Sequence, residues 1–189
     1  MKKPITTIIF VLFSILFGGC SAGRDHTQER QAGQSDVIAL ACDPIPVVRV
    51  GFIGLGMRGI GAVERFMYLD SVEVVALCDL EAENLARSQA VLREKTRPEA
   101  AEYMGPEGWK RLCERPDIDL VYISTDWLSH TPMAVYAMEQ GKHVAVEVPA
   151  AVTVEECWKL VDTAEKTRRH CMMLENCCYD FFELATLNM

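Results

Sequence analysis

An excess of positive charge is missing from this chain. Its 189 residues carry 19 Lys and Arg against 27 Asp and Glu, a formal net charge of −8 at pH 7. There is no basic stripe and no interleaving of basic with aromatic residues, so no nucleic-acid partner is expected. The eight cysteines contain no C-x-x-C spacing. That argues against a disulfide framework and against a zinc site, and no metal is expected, even around His170, Cys171, Cys177 and Cys178. Cys78 and Cys171 fall in apolar strand-like runs, Cys113 and Cys157 in helical patterns, where free thiols act as small core residues. Internal repeats and low-complexity tracts are absent, which excludes a solenoid.

Long apolar runs are also scarce. The most prominent, Ile5 to Phe17, is short for a membrane span and follows Lys2 and Lys3. Gly18, Gly19 and Cys20 come next, the pattern of a bacterial lipoprotein signal. Residues 1–20 are therefore expected to be a signal peptide, with lipid attached at Cys20; an ordinary secretory signal or an uncleaved anchor are the alternatives. No twin arginine precedes the run, which favours export of the unfolded chain. The expected location is that of an exported lipoprotein, membrane-anchored on the periplasmic or cell-surface side. Residues 21–46 read as a tether, polar to Asp36, apolar from Val37 to Cys42, and broken by Pro44 and Pro46.

The organising stretch comes next. The β-branched, apolar run Val47 to Ile53 enters a turn with Gly54, Gly56 and Gly59 at G-x-G-x-x-G spacing, and a helical pattern begins at once. Gly54 makes the turn, Gly56 lets the backbone approach a pyrophosphate, and Gly59 lets helix and strand pack closely. The helix start offers unpaired N–H groups and a positive dipole end to phosphate. The next strand, Val72 to Cys78, ends at Asp79, near the spacing of a ribose-binding carboxylate. A carboxylate accepts hydrogen bonds from ribose hydroxyls and repels a 2′-phosphate, and Leu80 rather than arginine comes next. The expected cofactor is NAD rather than NADP. The competing reading makes Asp79 a helix N-cap.

Strand and helix patterns alternate from there. Glu81 to Arg93 reads as a helix, Thr96 to Gly108 as a loop, Trp109 to Cys113 as a short helix, and Leu120 to Ile123 as a buried strand. Thr131 to Gln140 reads as a helix closed by Gly141, and His143 to Val146 as a strand. Thr153 with Glu156 forms a capping box for a helix reaching about Arg169. Cys171 to Leu174 is a last strand, and Asp180 to Asn188 begins another helix. The alternation predicts an α/β fold with a doubly wound parallel sheet. Such sheets bind ligands beyond the carboxyl ends of their strands, so the segments after each strand should meet along one edge.

The succession resembles the family of glucose–fructose oxidoreductase, inositol dehydrogenase and MocA. The carriers are Val50 to Gly56, Thr125 to His130, and Ala137 to Pro149. The family's usual catalytic lysine falls at Val148, and a valine can neither move a proton nor hydrogen-bond a hydroxyl. Met57 with Arg58, Asp126 to His130, Glu147 to Ala150 and Glu175 to Tyr179 together resemble one branch, glycoside hydrolase family 109.

That resemblance implies an NAD-dependent glycosidase that releases a terminal α-linked N-acetylgalactosamine from a glycan. The implied cycle oxidises the sugar C3 hydroxyl, eliminates the glycosidic oxygen, adds water and reduces C3 again, with no net NADH. It needs no pair of glycosidase carboxylates, and none is evident here. The resemblance assigns Met57 and Arg58 to the cofactor's phosphates, Asp79 to its ribose, and Trp127, Leu128, Ser129, His130, Glu147, Val148 and Asn176 to the cofactor's surroundings. Structural readings compete: Arg58 as a solvated arginine, Trp127 as core, His130 as a helix cap, Glu147 paired with a base, and Asn176 as a turn residue. The catalytic residues are unknown from the sequence; Tyr179 is a weak candidate that also reads as a packing residue. The resemblance makes residues 47–176 the NAD-binding Rossmann domain and 177–189 the start of a second α/β substrate domain whose remainder is truncated away. A fragment of that kind is expected to be inactive alone. A periplasmic NAD-dependent sugar oxidoreductase and a non-catalytic nucleotide-binding domain are the alternative functions.

Overall fold

The computed structural model describes residue 30 and residues 34–187. The expected signal peptide, Cys20 as the expected lipid attachment point and the first part of the tether lie outside the described residues. The chain divides into two units after residue 32, and the second carries the whole sheet.

Six strands form one parallel sheet: β1 (Val48–Ile53), β2 (Val72–Asp79), β3 (Ala101–Met104), β4 (Leu120–Ile123), β5 (His143–Glu147) and β6 (Cys171–Leu174), in the order β3-β2-β1-β4-β5-β6. Among the described residues six α-helices accompany them: α1 (Met57–Phe66), α2 (Ala82–Glu94), α3 (Gly108–Cys113), α4 (Trp127–Glu139), α5 (Val154–Thr167) and α6 (Phe181–Leu187). A 3-10 turn, Asn176–Tyr179, precedes α6. The strand order reverses between β1 and β4, the switch point at which sheets of this kind open a crevice.

Alternation along the strands divides the core in two. Val50, Phe52, Val74, Leu77, Tyr122 and Ala145 pack with Ala62 and Val63 of α1 and Leu85 and Leu92 of α2. Ile53, Ala76, Cys78, Val121, Ile123, Val144 and Val146 pack with Leu112, Ala134, Met138 and Leu160 from α3, α4 and α5. Both faces are therefore covered, as a parallel sheet requires. Phe52 stacks on Tyr122 at 5.0 Å, and Phe66 meets both rings edge-on.

Two local readings need correction. The expected loop from Thr96 to Gly108 contains β3, paired in register with Ala76 to Asp79. It is a short edge strand, and its burial does not alternate, so no apolar period marked it. The helix expected from Thr131 begins at Trp127, a turn earlier, and runs through Pro132. Asp126 supports the added turn by accepting from the N–H groups of Leu128 at 3.1 Å and Ser129 at 3.2 Å and from the Ser129 hydroxyl at 2.6 Å. Gly141, at φ +79°, ends α4 as expected. Its N–H bonds to Met138 and that of Lys142 to Ala137, the pair of bonds of a left-handed helix stop. The Thr153–Glu156 capping box is present in both directions. Cys78 and Cys113 are buried, but Cys157 is exposed on α5.

Candidate functional site

The glycine loop sits over the switch point. Gly54 has φ +85°, and a Cβ placed there would lie 2.4 Å from the Ser124 carbonyl oxygen. At Gly59 an added Cβ would lie 2.0 Å from the Gly54 carbonyl oxygen. Both glycines are thus required by packing of the turn against α1 and β4. Gly56 differs: an added Cβ would meet nothing within 4 Å. It also opens α1 with no side chain capping it. A bare helix start beside open space is the arrangement a phosphate needs.

Asp79 closes the other side. Its Oδ2 accepts the Leu55 N–H at 2.6 Å, and its Oδ1 accepts from Glu81 N–H at 2.9 Å and Asn84 Nδ2 at 3.1 Å. The carboxylate therefore ties the glycine loop to the entry to α2, but it is not that helix's N-cap: Glu81 holds the cap position, with no side-chain cap bond. Gly54, Gly56, Asp79, Leu80, Asn84, Ser124, Thr125, Ser129 and Met133 border one cleft of about 540 Å³, within the usual size range of a ligand site. Ser124 holds its wall by donating to the Gly54 carbonyl at 2.8 Å.

A second cluster lies across the loop. Arg58 donates through Nε to Glu147 Oε1 at 2.9 Å and through a terminal nitrogen to Asn176 Oδ1 at 2.9 Å. Tyr122 donates its hydroxyl to the same Glu147 oxygen at 2.7 Å. The Glu147 side chain is 7% exposed and that of Arg58 50%. The hydrogen bond to Glu147, then its charge, raises the Arg58 pKa. Burial first, then Glu147, raises that of the Tyr122 phenol. Arg58, Glu147 and Asn176 are thus brought together from α1, β5 and the turn after β6. The paired reading of Glu147 holds, and Arg58 is not merely solvated. Sequence reasoning missed Tyr122, a residue hidden in a strand read only as core.

The remaining expected residues are distributed differently. Met57, Trp127 and Leu128 are largely exposed, so Trp127 is not core. Ser129 and its cap Asp126 border the cleft. His130 is buried within α4 rather than capping it. Its Nδ1 lies 2.8 Å from the Pro149 carbonyl, and its Nε2 has no partner among the described residues. Val148 precedes Pro149 in a cis peptide and is partly buried. Tyr179 is exposed in the 3-10 turn, away from any core.

A family model described as the GFO/IDH/MocA oxidoreductase family, NAD-binding Rossmann fold, matches residues 48–175. The chain belongs to this family. Among curated proteins it is 64% identical over 156 residues to an alpha-N-acetylgalactosaminidase of Bacteroides fragilis, covering 82% of this chain and 37% of that protein. It is 62% identical over 154 residues to a glycosyl hydrolase family 109 protein of Phocaeicola vulgatus, again covering 82% of this chain and 37% of the relative. The chain therefore spans little more than a third of the length of these relatives. Among solved structures, biliverdin reductase from Synechocystis, in complex with biliverdin and NADP+, aligns with a TM-score of 0.64 at 25% identity, covering 75% of this chain and 42% of that one. The WlbA dehydrogenase of Chromobacterium violaceum, in complex with NADH and UDP-GlcNAcA, aligns with a TM-score of 0.63 at 21% identity, covering 77% and 41%.

Proposed function

We propose that the described residues bind NAD and serve a glycosidase that releases terminal α-linked N-acetylgalactosamine. The observation that carries the reading is the 64% identity to the alpha-N-acetylgalactosaminidase. The cleft supports it. The open Gly56 face and the uncapped start of α1 suit a pyrophosphate, and Asp79, bordering the same cleft, suits an adenosine ribose without a 2′-phosphate. NAD, when bound, supplies reversible oxidation of a sugar carbon.

The chain's own groups do the rest of what this unit can do. Backbone N–H groups at the α1 start would hold the phosphates. Asp79 fixes the glycine loop through the Leu55 N–H. The Arg58–Glu147–Tyr122 cluster fixes the far wall. Val148 leaves no proton-moving group at the position where the family's dehydrogenases resemble one another in lysine. That favours a bound cofactor returned to its starting state over net sugar oxidation. The sugar site and its catalytic groups are assigned to sequence beyond the described residues, in a second α/β domain beginning near residue 177. Export as a lipoprotein anchored through Cys20 belongs to the same proposal. Metabolic labelling with a fatty acid, lost in Cys20→Ser, tests it.

The test of function uses an aryl α-N-acetylgalactosaminide and the protein carrying this chain. Sugar release that depends on NAD, without accumulating NADH, is the expected result. Steady NADH accumulation with free sugar would instead support a sugar dehydrogenase.

A further inference from the structure

At the edge of the sheet opposite the cleft, three soft ligand groups converge. His143 opens β5, His170 precedes β6, and Cys42 belongs to the segment before β1. Their ligand atoms all lie within 4.8 Å of one another. The two Nδ1 atoms are 3.1 Å apart.

Hydrogen-bond polarity constrains both rings. His170 Nε2 is 3.0 Å from the Leu40 carbonyl oxygen, which can only accept, so Nε2 carries a proton. His143 Nδ1 is 3.1 Å from the His170 backbone N–H, which can only donate, so that nitrogen presents its lone pair. With neutral rings, the two Nδ1 lone pairs then face each other. A cation between them relieves this. The contact from Nε2 to a backbone carbonyl is also the usual outer support of a metal-bound histidine.

We propose that Cys42, His143 and His170 form a binding site for a borderline-soft divalent ion of the zinc class. With Zn–N near 2.0–2.1 Å and Zn–S near 2.3 Å, tetrahedral ligands sit roughly 3.3–3.6 Å apart. The Nδ1 pair is close to that spacing, and the exposed Cys42 thiol lies within 4.8 Å of a ring nitrogen of each histidine. Two imidazoles and a thiolate select this class of ion over calcium or magnesium. The ion would displace the His170 N–H from His143 Nδ1, at the cost of one neutral hydrogen bond. It would leave a fourth position to solvent. Its effect would be to staple the segment preceding β1 to the starts of β5 and β6, where Arg168 already holds Ser35 and Asp36 through their carbonyls. No spacing in the sequence announced this site, because the pairing of β5 with β6 brings the two histidines together and the distant segment before β1 adds Cys42.

The test titrates the chain with Zn2+ against a chromophoric chelator, and with Co2+ as a spectroscopic reporter. The expected result is one competing ion per chain with a thiolate-to-cobalt charge-transfer band. Cys42→Ser should abolish the band and weaken zinc binding by more than about tenfold, as should His170→Gln. The double variant Cys177→Ser, Cys178→Ser should behave as the parent. Cys42→Ser changes an exposed side chain, so its near-ultraviolet circular dichroism should match the parent and exclude misfolding. Absence of one-to-one binding, or binding unchanged in both Cys42→Ser and His170→Gln, would overturn the proposal.

Discussion

Arg58 and Glu147 meet at 2.9 Å, so the first turn of α1 is tied to the last residue of β5 across the switch point. Tyr122 donates to the same carboxylate from β4. Arg58→Met would leave a nearly buried carboxylate with only the Tyr122 hydroxyl. The expected loss is about 1–3 kcal/mol, nearer the lower end because the guanidinium is half exposed. Glu147→Gln, which keeps an acceptor for both donors, should cost less. Urea unfolding of both variants and their combination, read as a double-mutant cycle, checks the coupling.

Two glycines of one motif should fail differently. Gly59→Ala puts a Cβ against the Gly54 carbonyl and should destabilise the fold by several kcal/mol or abolish it. Gly56→Ala meets open space, so its thermal midpoint should stay near the parent's. Its dinucleotide affinity should nevertheless fall about tenfold or more, because the added methyl occupies the approach of the phosphate. Thermal unfolding and NAD titration on the two variants separate these effects.

The Asp126 cap gives a pH prediction. The Ser129 hydroxyl bond is the largest contribution holding this carboxyl below its ordinary 3.8, with the Leu128 and Ser129 N–H groups adding to it. A pKa lowered on folding means the cap's stabilisation is complete above the unfolded value and is lost as pH falls through the folded one. Asp126→Ala should cost about 0.5–2 kcal/mol at neutral pH. The difference from the parent should shrink below about pH 4. Acid titration of the unfolding free energy of the two proteins is the check.

Thiol reactivity should divide by burial. Cys78 and Cys113 are pushed up to about 12, chiefly by burial. In the native protein they should resist alkylation at neutral pH, while the exposed Cys157 and Cys178 react. Mass mapping before and after denaturation distinguishes the two groups.

The repeating units of the fold were legible in sequence because a parallel sheet writes its central strands as continuous apolar runs. Leu120–Ile123 is such a run, and its bounds agree with those read from the chain. Ala101–Met104 is not, since an edge strand with exposed residues carries no such signature. Pro132 hid the first turn of α4, which depends on a side-chain cap rather than on periodicity. At the site, the glycine spacing and Asp79 could be read directly. The meeting of Arg58, Glu147 and Asn176 followed from reading the segments after each strand, but the part of Tyr122 did not, because it depends on which strands become neighbours. The burial of His130 beneath Pro149 was hidden for the same reason.

The most direct measurement is an equilibrium titration of the chain with NAD and, separately, NADP, repeated on Asp79→Asn. The account predicts that NAD binds at least about tenfold more tightly than NADP, and that Asp79→Asn narrows the gap by weakening NAD and admitting the 2′-phosphate. Equal affinity for the two cofactors in the parent protein, or a preference for NADP, would contradict the role given to Asp79 and the cleft built around it.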